Sequence, residues 1–205
     1  MKNNTTAVSQ KSVANVRMLT VTAVLSAIAF LLAFIEFPVP LSPSFARMDL
    51  SDLPALVGAF AYGPMVGVMI EFVKNLLQLL TTSTGGVGEL ANFLMGGSFA
   101  LIAGLLYKHN RTRRMAWIAC VAASLGMGIV AAAANYFLLL LPLFESFLPL
   151  DQLIASFGEF IPFIQTKLDV VLYNALPFNF LKGLTVSAVT MLLDQRLSPV
   201  LKGTK

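Results

Sequence analysis

Polar side chains recur at helical spacing inside the apolar stretches of this sequence. Asn179 and Lys182 lie three residues apart in "NALPFNFLKGL", which opens an apolar stretch that continues to Leu193. Residues three or four apart share one face of an α-helix. An amide both donates and accepts hydrogen bonds, whereas an ammonium group only donates them. The pair is therefore suited to holding the carbonyl oxygen and the amide or imide edge of a ligand.

Three further stretches repeat this pattern. In "IEFVKNLLQ" four polar residues follow at offsets of three, one and three, which predicts one polar helical face: Glu71, Lys74, Asn75 and Gln78. Glu89 and Asn92 are again three apart, and Asn135 is followed by Tyr136. One alternative is structural, because an ion pair between Glu71 and Lys74 would help both charges to tolerate a membrane. A charge at the bilayer centre costs at least about 2.5 kcal/mol, however, and a polar stripe two turns long favours a cavity or pathway.

The composition indicates that these polar side chains lie within a membrane protein. The chain has 205 residues, of which 57% are hydrophobic and 12% are charged, and its mean hydropathy is +0.80. Such a sequence is too apolar for an ordinary soluble domain. Because each span needs about 20 apolar residues, the length allows one integral-membrane domain, residues 1–205, with five or six spanning helices.

Proline, glycine and polar residues divide the apolar sequence into six predicted spans. These are 18–36, 53–62, 65–81, 90–107, 115–141 and 170–193. The second and third are together short for two full spans, so at least one should be stubby or tilted. The expected fold is an all-α bundle of six transmembrane helices with a long outer first loop.

The basic residues predict the orientation of this bundle. With both termini in the cytoplasm, all but four of the 14 Lys and Arg residues lie on the inner side, as the positive-inside rule requires. The exceptions are Arg47, Lys74, Lys167 and Lys182. In this orientation the four polar clusters lie in the outer part of their helices, so they can converge on one pocket that is open to the outside.

Aromatic residues surround the predicted polar groups, namely Phe93, Phe137, Phe178 and Phe180. Together with the amides and ammonium groups they suit a flat, largely apolar heterocycle that has an amide or imide edge and a hydroxylated tail. Buried amides left unpaired would penalise a ligand that lacks that edge. These properties indicate a small-molecule site without naming the molecule.

Three stretches resemble the substrate-binding S components of energy-coupling factor (ECF) vitamin transporters, and among these the riboflavin-specific members. They are "AVLSAIAF" in the first span, "FPVP" with "MDLSDLPAL" in the first loop, and "NALPFNFLKG" in the last span. The resemblance implies that riboflavin enters from outside and that the loop from Phe37 to Asp52 covers the pocket as a lid. It also implies that Asn179 and Lys182 bind the pyrimidine-like edge of the isoalloxazine ring.

The other candidate residues follow from their geometry. Lys74, Asn75 and Asn135 are expected to serve the ribityl chain or the rest of the ring. The remaining candidates for ligand contacts are Glu71, Gln78, Glu89, Asn92 and Tyr136. Riboflavin would be the transported ligand, and no cofactor, metal or nucleic acid is expected.

The resemblance also implies protein partners in a prokaryotic plasma membrane. The family binds a transmembrane coupling subunit through small residues on its first helix, and here Ala23 and Ala27 are four apart. Small residues at this spacing let two helices approach closely. The sequence contains no GxxxxGK[ST] loop, so the energy is expected to come from two cytoplasmic ATPases.

Three other functions compete with this interpretation. An intramembrane enzyme lacks support, because the chain has no HExxH motif and a single histidine, and Glu71 and Glu89 are not spaced as a catalytic pair. A stand-alone secondary transporter would favour internal repeats with broken helices in matched positions. No such repeats are recognisable in the 205 residues. An S component for another vitamin, such as thiamin or a folate, is opposed only by "NALPFNFLKG".

Overall fold

The described part of the chain is almost entirely helical. The computed structural model describes residues 2–38, 47–82, 84–138 and 149–202. Its α-helices are α1 Lys2–Leu32, α2 Leu53–Tyr62, α3 Pro64–Gln78, α4 Val87–His109, α5 Arg113–Leu138, α6 Leu150–Gly158, α7 Lys167–Val170 and α8 Leu176–Lys202. A 3₁₀ turn, Leu79–Thr81, extends α3, and a π-helical turn, Val171–Ala175, joins α7 to α8.

The first loop begins and ends in a short strand pair. The strands β1, Phe37–Pro38, and β2, Arg47–Met48, pair antiparallel with Phe37 opposite Met48. The middle of the predicted lid, residues 39–46, lies outside the described residues. The strand pair therefore defines only the two ends of this loop.

Five helical stretches are long and apolar enough to cross a membrane. They are Asn15–Leu32, Pro64–Thr81, Val87–His109, Arg113–Phe137 and Lys167–Leu193. The chain is therefore a multi-pass membrane protein. The predicted second span is helical, but the ten residues of α2 extend only about 15 Å, half of the roughly 30 Å of hydrocarbon. The expectation that one of the two short segments would be stubby is confirmed for α2.

The structure corrects the end of the first predicted span and adds one helix. Helix α1 ends at Leu32 rather than at 36, because the amides of Phe34 and Ile35 bond back only three residues, and Pro38 forces an extended backbone before it. Residues 139–141 of the fifth predicted span lie outside the described residues. The long connection after that span contains a helix, α6, that was not predicted.

Helix α2 is buried at the centre of the bundle. Its residues from Pro54 to Phe60 are all buried, as expected of a helix that is apolar on every side. On one side Leu56 packs in a cluster with Phe99 of α4 and Val186 of α8. On another side Ala59 packs in a cluster with Ala29 of α1. The short helix thus joins the two halves of the apolar core.

A tight turn connects α2 to α3. Gly63 has φ +112°, a conformation that favours glycine, and Pro64 occupies the first turn of α3, where its missing N–H costs nothing. The turn leads from the buried short helix into α3, where Ile70 and Glu71, at the start of the polar stripe, are both buried. The stripe therefore starts within the core.

Candidate ligand-binding site

A cavity of about 400 Å³, here called the central cavity, lies between the end of the first loop and helices α4, α5 and α8. Its wall combines carboxylates, amides and one ammonium group with a few apolar side chains. The residues that line it are Glu36, Asp49, Gly88, Asn92, Met95, Asn135, Asn174, Ala175, Phe178, Asn179 and Lys182.

The last helix supplies the most deeply placed of these groups. Asn179 and Lys182 line the cavity one helical turn apart, as their spacing predicts, and both are buried. The π-helical turn just before them brings Asn174 and Ala175 to the same wall. Such turns occur frequently at functional sites.

Two amides in the cavity wall are held by their own helices. The side-chain nitrogen of Asn135 donates to the carbonyl of Ala131, and that of Asn179 donates to the carbonyl of Ala175, each over 2.8 Å. An amide carries two N–H donors and an accepting oxygen. These bonds therefore orient both side chains and leave them with capacity to bind a ligand.

Lys182 is paired with two carboxylates of the first loop. Its Nζ atom lies 3.1 Å from Oδ2 of Asp49 and 3.2 Å from Oδ2 of Asp52. An isolated buried ammonium group is strongly unfavourable, and a carboxylate partner offsets that cost. The end of the first loop is in this way attached to the cavity wall.

Behind the cavity wall, Asp52 connects Lys182 to a second lysine. Its Oδ1 atom lies 2.7 Å from Nζ of Lys74, and Lys74 also lies 2.6 Å from Oε2 of Glu71 and 3.1 Å from the hydroxyl of Ser51. Lys74 and Glu71 are fully buried. The structure thus contains the ion pair between Glu71 and Lys74 that the helical spacing also allows as a structural alternative, within a network of three carboxylates and two ammonium groups.

The electrostatics of Asp52 follow from this arrangement. Burial by itself would raise the pKa of Asp52, but the nearby ammonium groups of Lys182 and Lys74 outweigh burial and hold that pKa well below its ordinary value. Asp52 is therefore ionised at neutral pH and bridges the two cations.

Helix α4 can approach this network because residue 96 is glycine. A Cβ atom at Gly96 would lie 2.5 Å from Oε2 of Glu71 and 3.1 Å from Oδ1 of Asp52. The first distance is shorter than real Cβ contacts, so any side chain would push α4 or the carboxylates away. No feature of the sequence marked this glycine.

Four of the ten predicted ligand-binding residues meet at the central cavity: Asn92, Asn135, Asn179 and Lys182. Lys74 and Glu71 lie behind its wall. Tyr136 does not line it; its side chain is 39% exposed and its ring lies 4.4 Å from Nζ of Lys167, a cation–π contact.

The remaining three predicted residues line two smaller pockets. Asn75 and Glu89 contribute to one of about 150 Å³ with Phe72 and Phe93. Gln78 and Glu89 contribute to another of about 270 Å³, which shares Glu36 with the central cavity. The predicted clusters therefore surround three neighbouring cavities rather than one.

Sequence reasoning missed the acidic residues of the site. Asp49 and Asp52 stand three apart in "MDLSDLPAL", directly before α2, and Glu36 follows α1. The sequence did contain an indication of them. Two lysines within apolar segments require carboxylate partners, and Glu36, Asp49 and Asp52 are the acids of the first loop.

The small residues of α1 fall on two faces. Ala29 and Ala33 are buried inside the chain, whereas Ala23 and Ala27 are exposed. The exposed pair is the one predicted to meet a coupling subunit, and its position leaves it accessible to a partner helix.

Comparisons with known proteins agree on one family. The sequence profile of the family described as "ECF transporter, substrate-specific component" matches residues 17–193. The riboflavin transporter RibU of Staphylococcus aureus (strain TCH60) is 39% identical over 92% of this chain and 93% of its own length. The riboflavin transporter FmnP of Bacillus subtilis (strain 168) is 33% identical over 90% of this chain and 93% of its own length.

A solved structure is also similar. It was described under the words "Structure and mechanism of the S component of a bacterial ECF transporter". It superposes with a TM-score of 0.73 at 36% sequence identity and covers 92% of this chain and 99% of that one.

Proposed function

This chain belongs to the family of ECF transporter substrate-specific components, and we propose from that premise that it binds riboflavin and delivers it to an ATP-driven coupling module. The relatives compared above are transporter components rather than enzymes. The observation that carries the proposal for the ligand is the convergence of four asparagine residues and Lys182 on the central cavity.

The chemistry of the cavity wall matches the parts of riboflavin. The isoalloxazine ring is flat and mostly apolar, which suits Phe178 and Met95, and its pyrimidine edge offers carbonyl and N–H groups to Asn179 and Lys182. The hydroxylated ribityl chain suits the carboxylates and amides elsewhere in the wall. The volume of about 400 Å³ falls in the range of roughly 300 to 1,000 Å³ that is typical of small-molecule sites.

The lysine of the cavity retains a donor for the ligand. An ammonium group has three N–H donors, and among the described residues two of these face Asp49 and Asp52. The ion pairs with Asp49 and Asp52 fix the position of the Lys182 ammonium group. Its third N–H donor is therefore oriented before the ligand binds. Orientation in advance lowers the cost of binding.

Lys74 has a different role in this proposal. Its three partners, Asp52, Glu71 and Ser51, match its three donors, and it is fully buried. We infer that Lys74 positions Asp52, and through it Lys182, without touching riboflavin. Asn75, Gln78 and Glu89 line the neighbouring pockets, where the ribityl chain can extend.

The orientation of the chain supports capture from outside. Helix α4 contributes Gly88 and Asn92, near its start, to the central cavity, and its other end is basic, with Lys108 in the last turn and Arg111 in the connection that follows. The positive-inside rule assigns that end to the cytoplasm. We propose six membrane segments with α2 as the short one, cytoplasmic termini, and a lid formed by the first loop.

The coupling module is expected to meet α1. Ala23 and Ala27 form an exposed surface of small side chains on this helix, which allows a partner helix to approach closely. The partners in this proposal are a transmembrane coupling subunit and two cytoplasmic ATPases.

The purified full chain tests the choice of ligand. Riboflavin added to the chain in detergent should lose its fluorescence on binding, and unlabelled thiamin or folate should fail to restore it. Displacement of riboflavin by thiamin or folate at equal concentration would instead identify an S component for another vitamin. Absence of any quenching would contradict riboflavin binding.

A further inference from the structure

A second and larger cavity lies at the end of the bundle away from the central cavity. This basic groove has a volume of about 550 Å³ and runs between α1 and the start of α3. Its wall is formed mainly by apolar side chains: Met18, Leu19, Met65, Val66 and Met69. None of the residues proposed to bind riboflavin lines it.

Two cations stand at this groove. Lys108, in the last turn of α4, and Arg111, in the connection to α5, both line it and are both exposed. Asn15 of α1 adds an amide to the same wall. The groove therefore combines a long apolar surface with a positively charged end.

The lining of the groove shows an excess of positive charge. None of the described residues that line the groove is acidic. The sequence has no Asp or Glu before Glu36, none from 53 to 70 and none from 90 to 144. These ranges contain all of α1 and α2, the start of α3, and the α4–α5 connection. The elements that form the groove therefore supply no counter-charge of their own.

The surroundings of the groove determine what can supply that charge. The helices that form it are membrane spans, so its apolar wall meets lipid, and an acyl chain is the abundant apolar group at that depth. Basic pockets between transmembrane helices near a membrane surface bind anionic lipid head groups, and each Lys or Arg there contributes about 1 kcal/mol, or about fivefold in affinity. Acyl chain and anionic phosphate together match both ends of the groove.

We propose that the basic groove binds one anionic phospholipid, with its phosphate between Lys108 and Arg111 and an acyl chain against Met18, Met65 and Met69. Asn15 is placed to donate to an oxygen of the head group or glycerol ester. The lipid fills the space between α1 and α3, so its binding stabilises the packing of α1 on the bundle.

Lipid selectivity tests this proposal directly. The full chain is delipidated in detergent and mixed with phosphatidylglycerol or with phosphatidylcholine of identical acyl chains, and retained lipid is counted by native mass spectrometry. Wild type should retain one phosphatidylglycerol and bind phosphatidylcholine much more weakly. Lys108→Gln combined with Arg111→Gln should lower the affinity for phosphatidylglycerol by about 25-fold, at about fivefold for each cation.

Two further variants distinguish a specific lipid site in the groove from general attraction of anionic lipid to the basic end of the protein. Arg113→Gln combined with Arg114→Gln removes two exposed cations that do not line the groove, so it should still retain one phosphatidylglycerol. Met69→Trp keeps both cations of the groove but fills its apolar wall, so it should lose the retained lipid. Both variants should elute from a sizing column as wild type does.

Three outcomes would overturn the proposal. Equal retention of the two lipids by wild type would exclude selectivity. Equal loss of lipid in the two double variants would show attraction to the whole basic end rather than to the groove. A polypeptide occupant would be indicated if the Lys108→Gln and Arg111→Gln chain lost a coupling subunit in bilayers made only of phosphatidylcholine.

Discussion

The ammonium group of Lys182 lies 3.1 Å from a carboxylate oxygen of Asp49, although 133 residues separate them in the sequence. One residue belongs to the last helix and the other to the end of the first loop. Both line the central cavity. The loop is therefore joined to the ligand site by a charge pair as well as by the chain itself.

Removing the polar groups of α8 should weaken binding of the ligand. Asn179→Ala and Lys182→Ala should each reduce riboflavin affinity by about 1 to 3 kcal/mol, or about five- to 150-fold, because a buried ligand group loses its partner. Quenching of flavin fluorescence measures this loss. Asn110→Ala, at an exposed position in the α4–α5 connection, serves as the control. Wild-type affinity in both α8 variants would remove this helix from the site.

Asp52 should contribute more to stability than Glu71. Asp52 lies within 3.2 Å of both lysines, whereas Glu71 pairs only with Lys74. Breaking a buried ion pair costs about 3 to 5 kcal/mol, and Asp52→Asn affects two such pairs. Glu71→Gln leaves both lysines paired with Asp52. Thermal unfolding in detergent should therefore show the larger decrease for Asp52→Asn, and the reverse order would contradict the bridging role.

The contribution of Asp52 to the free energy of unfolding should depend on pH. Its pKa is lowered in the folded chain below the ordinary value of about 3.9. The contribution is therefore fully present above about pH 4 and is lost as the pH falls from there through the folded-state pKa. The difference in stability between wild type and Asp52→Asn should stay constant from pH 8 to about pH 5 and narrow below about pH 4. A difference that grows on acidification would have the wrong sign.

Two adjacent glycines should respond differently to the same substitution. Gly96→Ala places a Cβ atom 2.5 Å from a carboxylate oxygen of Glu71, whereas Gly97→Ala meets only the ring of Phe93, at 3.5 Å. Overpacking of this kind costs about 1 to 3 kcal/mol. Alanine at 97 should be neutral or stabilising, because it favours a helix over glycine. Equal melting temperatures for the two variants would refute the close contact at Gly96.

Binding and transport should separate on α1. Ala27→Trp adds a large side chain to an exposed face of this helix, so riboflavin affinity in detergent should remain while co-purification with the coupling subunit and ATP-dependent uptake are lost. Ala133→Trp, also exposed but on α5, is the matched control and should keep assembly. Intact uptake with Ala27→Trp would show that this face of α1 meets only lipid.

The sequence was sufficient for the local features of this protein. The long spans are predominantly apolar and are separated by Gly, Pro and polar connections, so hydropathy places α3, α4 and α5. Asn179 and Lys182 could be placed on one face of a helix because their spacing of three determines it. Tyr136 was grouped with Asn135 only because the two are adjacent. Neighbouring residues on a helix do not face the same way, and Tyr136 contacts Lys167 instead.

The features that could not be predicted depend on distant parts of the chain. The partners of Lys182 come from the first loop, and no local pattern indicates which carboxylate reaches which ammonium group. Helix α6 has only nine residues, and it is stabilised by packing of Leu153 and Phe157 against Ile164 and Val170. Its sequence is too short and mixed for hydropathy to distinguish it from a connection.

The shortness of α2 explains how a helical bundle can contain a chamber without weakening its core. Helix α2 begins at Leu53, four residues after Asp49 of the cavity wall, so the chain beside the cavity belongs to the loop and not to a longer helix. Since one helical turn spans about 5.4 Å, we expect a change of one turn in α2 to move Asp49 and so to change the dimensions of the cavity. A change in this one segment is therefore expected to alter the cavity while the surrounding long helices keep their contacts with one another.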